Sequence, residues 1–453
     1  MEMRSSVRIW WTAVCLGLAT PGVVSFGAAV GRAPEVAEQL AKRSPTERLQ
    51  RSHLKATHEE AVRYQQIRRE LSPTSGFHDY KVILHAHAED SAHTGGTRAE
   101  MLAAAKKAGI NIIMLTDHLR PPRDFINDSW RGLHDGVLFI PGSEARGFLV
   151  YPTRSIMDQM DAKLESFVPT VTASNGLIFL SHTEERPDAS VVGLTGMEIC
   201  NRHYDAKRDA AGLIVLAMKM LDPDKLAELQ ESVRLYPDEV LAAQVDYPEA
   251  YMKKWDAELV NNHFLTGVAA NDCHHNQILV VKMVDEKTVL LGTNVDKDKG
   301  MHRFNAEGHP GIRKLTEGHK AGDIVASIDF DPYYRSFRNM TTHIWARDLT
   351  EESVRSALQQ GRAFVSHDWM CDATGFSLEY LEHGSLSGGR NLAAHFPVAC
   401  HVRLVRNDSV IVESDTATAS YKVSEPGAYR IEGWLKLDGE LRPWIYSNPI
   451  FVR

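Results

Sequence analysis

His85 and His87 stand two residues apart, and Asp272 and His274 repeat that spacing far along the chain. On an extended backbone, residues i and i+2 face the same side, so each pair can offer two ligand atoms to one ion. Between the pairs come His93, Asp117, His118, Glu144 and His182, all imidazole or carboxylate side chains. Such a set, with little Cys, suits zinc, manganese or iron in a working centre better than a Cys-rich structural zinc site. Glu144 is a candidate bridge between two ions, because a carboxylate has two oxygens with spare lone pairs. Singly, each residue has a plainer explanation: a surface or core His in a chain with 21 of them, a helix cap at Asp117, a turn at Glu144, a buried ion pair at Glu198.

The elements that must position these residues argue against the plainer explanations. Six short apolar runs each lead into one of them. The run 81–84 leads to His85, and 112–115 leads through Thr116 to Asp117 and His118. The run 137–140 leads through Pro141, Gly142 and Ser143 to Glu144. The run 177–180 leads to Ser181 and His182, Met197 leads to Glu198, and 267–270 leads through Asn271 to Asp272. Buried parallel strands read as continuous apolar runs, and in a barrel of such strands the chemistry collects at their C-terminal ends. One coincidence is cheap; six in order indicate a single site built from many strands.

The segments between the runs read as helices. Thr97 as N-cap, Glu100 three residues on and Gly109 as a stop predict a helix over 97–108, so the first two strands form a strand–helix–strand unit. Residues 205–265 read mainly as helices broken at Tyr236-Pro237 and Tyr247-Pro248, placed over the barrel mouth. A further helix spans 350–360, with Glu351 and Glu352 in its first turn and Gly361 beyond its end. Residues 30–77 are polar and helix-forming. After about residue 366 short alternating runs, such as 421–423 and 429–434 around a hairpin-like Pro426-Gly427, predict a small β-sandwich. Trp444 and Tyr446 there suit a sugar, though buried contact with the barrel is the simpler role.

In chain order, His85-Ala86-His87, His93, Thr116-Asp117-His118, Gly142-Ser143-Glu144, Ser181-His182 and Asp272-Cys273-His274 resemble the motifs of the polymerase and histidinol phosphatase (PHP) superfamily. The resemblance spans residues 78–280, and more weakly to about 365. It implies an α/β fold, a distorted (β/α)7 barrel over 78–365, and a cluster of two or three divalent transition-metal ions that hydrolyses phosphoesters. It implies that His85, His87, Glu144 and Asp272 hold one ion, that His93, His118 and His274 hold another, and that Glu144 and His182 hold a further one. Asp117 either joins the ligands or orients His118. Many members place another His between the motif Glu and the later Ser-His. Here none occurs in 145–181, and Phe148 stands about where it is expected. That last ion is short of a ligand, so either Glu198, Asn201 or His203 contributes or the centre holds fewer ions.

Composition fits a globular enzyme: 43% hydrophobic residues are ordinary, and a net charge of −8 argues against a general nucleic-acid binder. Arg4 and Arg8, an apolar stretch over 9–24 and small residues at Ser25, Gly27, Ala28 and Ala29 read as a secretory signal, with no other stretch able to span a membrane. The expected layout is a signal over 1–29, a helical segment over 30–77, the barrel over 78–365 and a β-rich domain over 366–453. Cys371 and Cys400 are compatible with a disulfide or with free thiols. The resulting expectation is a secreted or periplasmic metal-dependent phosphoric ester hydrolase acting on a small phosphorylated substrate. A hydroxide shared by two ions attacks phosphorus in line. Glu144 and Asp272 are the central carboxylates, His203 the proton donor to the leaving group, and Arg120, Arg146 and Arg202 candidate partners for phosphate charge. Two other classes fit less well: an amidohydrolase, which would usually add a strand-end Lys, and a non-catalytic binding protein on the same scaffold.

Overall fold

All six apolar runs form strands in the computed structural model, which describes residues 42–71, 76–381 and 390–453. The N-terminal segment read as a signal lies outside the described residues. β1 (His78–Ile83), β2 (Ile112–Met114) and β4 (Val137–Ile140) are parallel neighbours, and the short β3 (Gly132–His134) returns antiparallel beside β4. β5 (Ser143–Ala145), β6 (Phe148–Tyr151), β7 (Leu177–Leu180), β8 (Gly196–Asn201) and β9 (Thr266–Ala270) form a second sheet in that order. In it β7, β8 and β9 are parallel, whereas β5 and β6 form an antiparallel hairpin against β7. Val82, Leu84, Met114, Ile140, Leu149, Phe179 and Val268 bury their side chains in one core between the two sheets.

The sheets do not close into the expected seven-stranded barrel. Among the described residues they meet only through two isolated bridges, Ala86 with Cys273 beyond the ends of β1 and β9, and His118 beyond β2 with Glu144 of β5. Along β9 side chains take the place of a strand partner. The Gly267 amide donates to Asn448 Oδ1 at 2.7 Å, and Asn448 Nδ2 donates to the carbonyls of Gly267 and Ala363, each at 3.0 Å. The Ala269 amide donates to Thr342 Oγ1 at 2.9 Å. Every buried backbone group needs a partner, and here an amide and a hydroxyl supply it without a ladder. The result is a mixed α/β arrangement of open sheets whose strand ends converge.

Four antiparallel strands, β10 (Ile278–Asp285), β11 (Thr288–Thr293), β12 (His302–Asn305) and β13 (Ile324–Asp329), follow β9 as a third sheet. The helices Ala210–Met218, Pro223–Leu235 and Pro237–Ala242 pack their apolar faces into one core with it, through Leu216, Leu229, Val233 and Val240 against Val281 and Val289. The helix breaks fall at Tyr236-Pro237 and before Glu249–Val260, as the prolines require. The helix Arg98–Ala108 has the expected Thr97–Glu100 capping box and ends at Gly109 with φ 69°, and Glu351–Gln359 is capped by Thr350.

β14 (Thr341–Ala346) and β15 (Ala363–Ser366) lie antiparallel next to β1, and the C-terminal strands continue that same sheet. They are β16 (Ser377–Leu381), β17 (Asn391–Arg406), β18 (Ser409–Lys422), β19 (Gly427–Leu437), β20 (Glu440–Ser447) and β21 (Ile450–Val452). β20 pairs with β15, so the sheet runs unbroken across the boundary drawn at 366. Pro426-Gly427 is not a hairpin turn. β18 and β19 both pair with the long β17, and the turn is at Asn407, whose φ is 59°. Trp444 is fully buried and donates through Nε1 to the Cys371 carbonyl at 2.7 Å. Tyr446 is also buried. The four described cysteines are free thiols. The helix Arg51–Ile67 packs through Tyr64 into the core of these C-terminal strands, and Arg48 just before it pairs with Glu440 at 2.7 Å. Among the described residues no helix is long and apolar enough to cross a membrane.

Candidate metal centre

The C-terminal ends of β1, β2, β7 and β9 and the hairpin strand β5 deliver their polar residues to one place. Glu144 Oε2 lies 3.6 Å from His85 Nε2, 3.7 Å from His87 Nε2 and 3.5 Å from His118 Nε2. Its other oxygen lies 3.0 Å from His182 Nε2. Asp272 Oδ1 is 3.3 Å from His85 Nε2 and 3.6 Å from His87 Nε2, and its Oδ2 is 3.6 Å from His182 Nε2. Ligand atoms about 2.1 Å from a tetrahedral ion stand roughly 3.4 Å from one another, so these separations match the edges of a coordination shell. Donor atoms of His87, His118 and His274 form a second close group. His93 adjoins it, its ring centroid 4.7 Å from His118 and 4.9 Å from His274.

His182 and Asp272 have left-handed backbones, with φ 45° and 48°. Such a conformation costs a non-glycine residue of order 1 kcal/mol or more. Here it turns the chain at the ends of β7 and β9 and brings both side chains back over the strands.

Carboxylates on the far nitrogens of the rings set their tautomers. Glu198, fully buried, accepts from His85 Nδ1 at 2.7 Å and from the His182 amide at 2.8 Å. Asp90 accepts from His87 Nδ1 at 3.1 Å and from His118 Nδ1 at 2.6 Å. The Asp272 carbonyl accepts from His274 Nδ1 at 3.0 Å. The nitrogens left over point inward. Nε2 of His85, His87 and His274 is buried in each case with no hydrogen-bond partner, which is costly unless something such as a cation satisfies it. The donor set, its spacing and these orphaned nitrogens fit divalent ions.

The charges agree. Burial would lower His85, but Asp272, Glu144 and Glu198 lift it to about 10. Burial also opposes protonation of His182, yet Glu144, Glu184 and Asp272 raise it to about 12. Burial would raise Glu144, and His85 and His182 hold it well below the usual carboxylate range. His87 and His93, by contrast, are driven down to about 3 and about 4 by burial and by neighbouring imidazoles.

Other expected residues stand elsewhere. Asp117 faces away from the ligand group: it pairs with Arg98 and, at 2.9 Å, with Arg123, and accepts from the Ala88 amide at 3.2 Å. It does not orient His118, which is held by Asp90. Arg146, at the β5–β6 turn with φ 58°, spends NH1 on the carbonyls of Met160 and Ala162 and stacks on Phe167. Arg202 is buried against Gln244 at 3.2 Å, and Arg120 is exposed. His203 lies in the helix Arg202–Arg208, but its side chain is outside the described residues. Phe148 opposes Ala145 and packs with Phe167 and Leu180, while Glu144 opposes Leu149; position 148 therefore does not face the ligands. Glu198 and Asn201 bond one another at 3.1 Å, so Glu198 supports the ligands from behind. The sequence reading missed Asp90 and Arg186, whose NH1 donates to the carbonyls of Ser181 at 3.1 Å and His182 at 3.4 Å.

No protein-family profile and no curated protein matches the sequence. Among solved structures, a two-domain protein from Bacteroides vulgatus containing a predicted PHP-like metal-dependent phosphoesterase is similar at 13% identity, with a TM-score of 0.34. The match covers 85% of this chain and 98% of that one. That likeness is too distant to carry an argument about this chain.

Proposed function

We propose that this chain is a PHP-type metal-dependent phosphoesterase. The observation that carries the reading is Glu144: one of its oxygens faces Nε2 of three histidines at 3.5–3.7 Å and the other faces His182 at 3.0 Å. Bound divalent ions lower the pKa of a coordinated water from about 16 to about 7 and take up charge on a phosphoryl group. Glu144 and Asp272 supply the negative charge that gathers the ions, and His85, His87, His118, His274 and His182 supply neutral nitrogens once deprotonated. His93 completes the group at His118 and His274. His203 is kept as the proposed proton donor to the leaving group. The substrate class is a small phosphate ester, and the ions are zinc, manganese or iron.

The metal-loaded protein is expected to cleave a phosphomonoester or phosphodiester, to lose that activity on chelation, and to regain it with manganese or zinc. Cleavage of amides but of no phosphoester would replace this reading with hydrolysis at a carbon centre. Glu144→Gln should cost more turnover than any single His change, because it removes the shared charge and one of the two acceptor oxygens. Near-normal turnover and metal content in that variant would refute the bridging role. We also propose export to the periplasm or medium, on the basic, apolar and small-residue order of the N-terminus. The mature chain then begins between Ala28 and Pro34, and an intact Met1 on the soluble cytoplasmic protein would contradict export.

A further inference from the structure

We propose that Asp90 is a shared positioning residue of the metal centre, one carboxylate oxygen holding two ligands that between them reach both candidate ion groups. The inference rests on the metal reading above. Asp90 lies in the loop after β1 and is buried. Its Oδ2 accepts from His87 Nδ1 at 3.1 Å, from His118 Nδ1 at 2.6 Å and from the His118 amide at 2.7 Å. Its Oδ1 accepts from Thr94 Oγ1 at 2.5 Å, which fixes the plane of the carboxylate. Each imidazole must carry its hydrogen on Nδ1 to reach Asp90, so each presents the Nε2 lone pair inward.

The two rings stack, with centroids 4.4 Å apart and planes 29° apart. They diverge in what they serve. His87 Nε2 stands with His85, Glu144 and Asp272 and also with His118 and His274, whereas His118 Nε2 stands only with His87, His274 and Glu144. Elsewhere in the centre the backing is separate: Glu198 holds His85, and the Asp272 carbonyl holds His274. Loss of Asp90 therefore frees one ligand from each ion group at once. Loss of His118 removes a donor from the group at His274 and leaves the group at His85 and Asp272 its own donors.

Metal-stripped full-length protein titrated with cobalt(II) tests this, followed by visible absorption and by elemental analysis after desalting. The wild type is expected to take up cobalt in two resolvable steps. His118→Ala should abolish or weaken one step and leave the other within a few fold. Asp90→Ala should weaken both steps, each about 10- to 100-fold, the usual range for losing an outer-shell partner. Asp90→Asn keeps an acceptor oxygen without the charge and should fall between. The metal-free Asp90 variants should melt lower than wild type, because several donors lose their acceptor, but circular dichroism should show them folded at the titration temperature, so that both cobalt steps are read on folded protein. If Asp90→Ala does not fold, Thr94→Val is the second variant; it leaves Asp90 in place, unlocks its plane, and should weaken both steps by a smaller factor. Weakening of one step only, or of neither, overturns the proposal. A wild type that binds no cobalt overturns the metal reading itself, and the inference with it.

Discussion

His85 and His182 carry protons that an arriving ion must displace. Burial opposes those protons, but the carboxylates around them lift the two groups to about 10 and about 12, so in the ion-free chain both are charged at neutral pH. Both stay protonated below those values, and an ion needs the same lone pairs. Metal affinity should therefore rise with pH between 6 and 8, by about tenfold per unit for each proton displaced, or about a hundredfold for two. Calorimetric titration in two buffers of different ionisation heat counts the protons released, and pH-independent binding without release would contradict the assignment. At this scale most of the centre was legible in the sequence. Imidazole and carboxylate at the ends of apolar runs mark themselves, and eight of the nine metal candidates gather. Asp117 does not, because a strand-end Asp-His pair leaves open which neighbour turns inward, and Arg98 and Arg123 claim the Asp. Asp90 was invisible for a different reason: it sits in a loop without periodicity, and its importance comes from two partners that only the fold brings together.

The elements show where sequence pattern runs out. The six runs became strands because continuous burial on both faces selects them, and the capped helix at Arg98–Ala108 followed from its own residues. Closure of the sheet was not readable, since it depends on what meets the backbone of β9. That partner is Asn448, separated from Gly267 by 181 positions and held on its two backbone groups. Asn448→Ala would strand the Gly267 amide and carbonyl, while the Ala363 carbonyl keeps the backbone amide of residue 448. It should lower stability by about 2–4 kcal/mol, given about 1–3 kcal/mol for each orphaned group and partial relaxation. Urea denaturation measures this, and a loss under 0.5 kcal/mol would show that the side-chain link between the sheets is dispensable. Asn448→Asp keeps two acceptors but loses the donor, so it should recover part of the loss. The antiparallel sheet β10–β13 was read as part of the barrel, because its alternating pattern was masked by charged turns such as 285–287. The C-terminal strands were read correctly as β-structure but their pairing was not, because Pro426-Gly427 resembles a hairpin turn while β17 is long enough to take both neighbours.

Across the whole molecule, three layers of order converge on the strand ends. Open mixed sheets bring histidines and carboxylates from distant segments into one group, buried acceptors behind the rings hold their Nδ1 atoms, and Nε2 of His85, His87 and His274 is left without a hydrogen-bond partner. We propose that this group holds metal ions. Anomalous diffraction from crystals of the protein reconstituted with zinc or manganese, recorded on both sides of the metal edge, tests it most directly. The predicted result is at least two anomalous peaks, one enclosed by His85, His87, Glu144 and Asp272 and one beside His118 and His274. A map with no peak at these residues, from protein that elemental analysis also finds free of metal after reconstitution, would contradict that role.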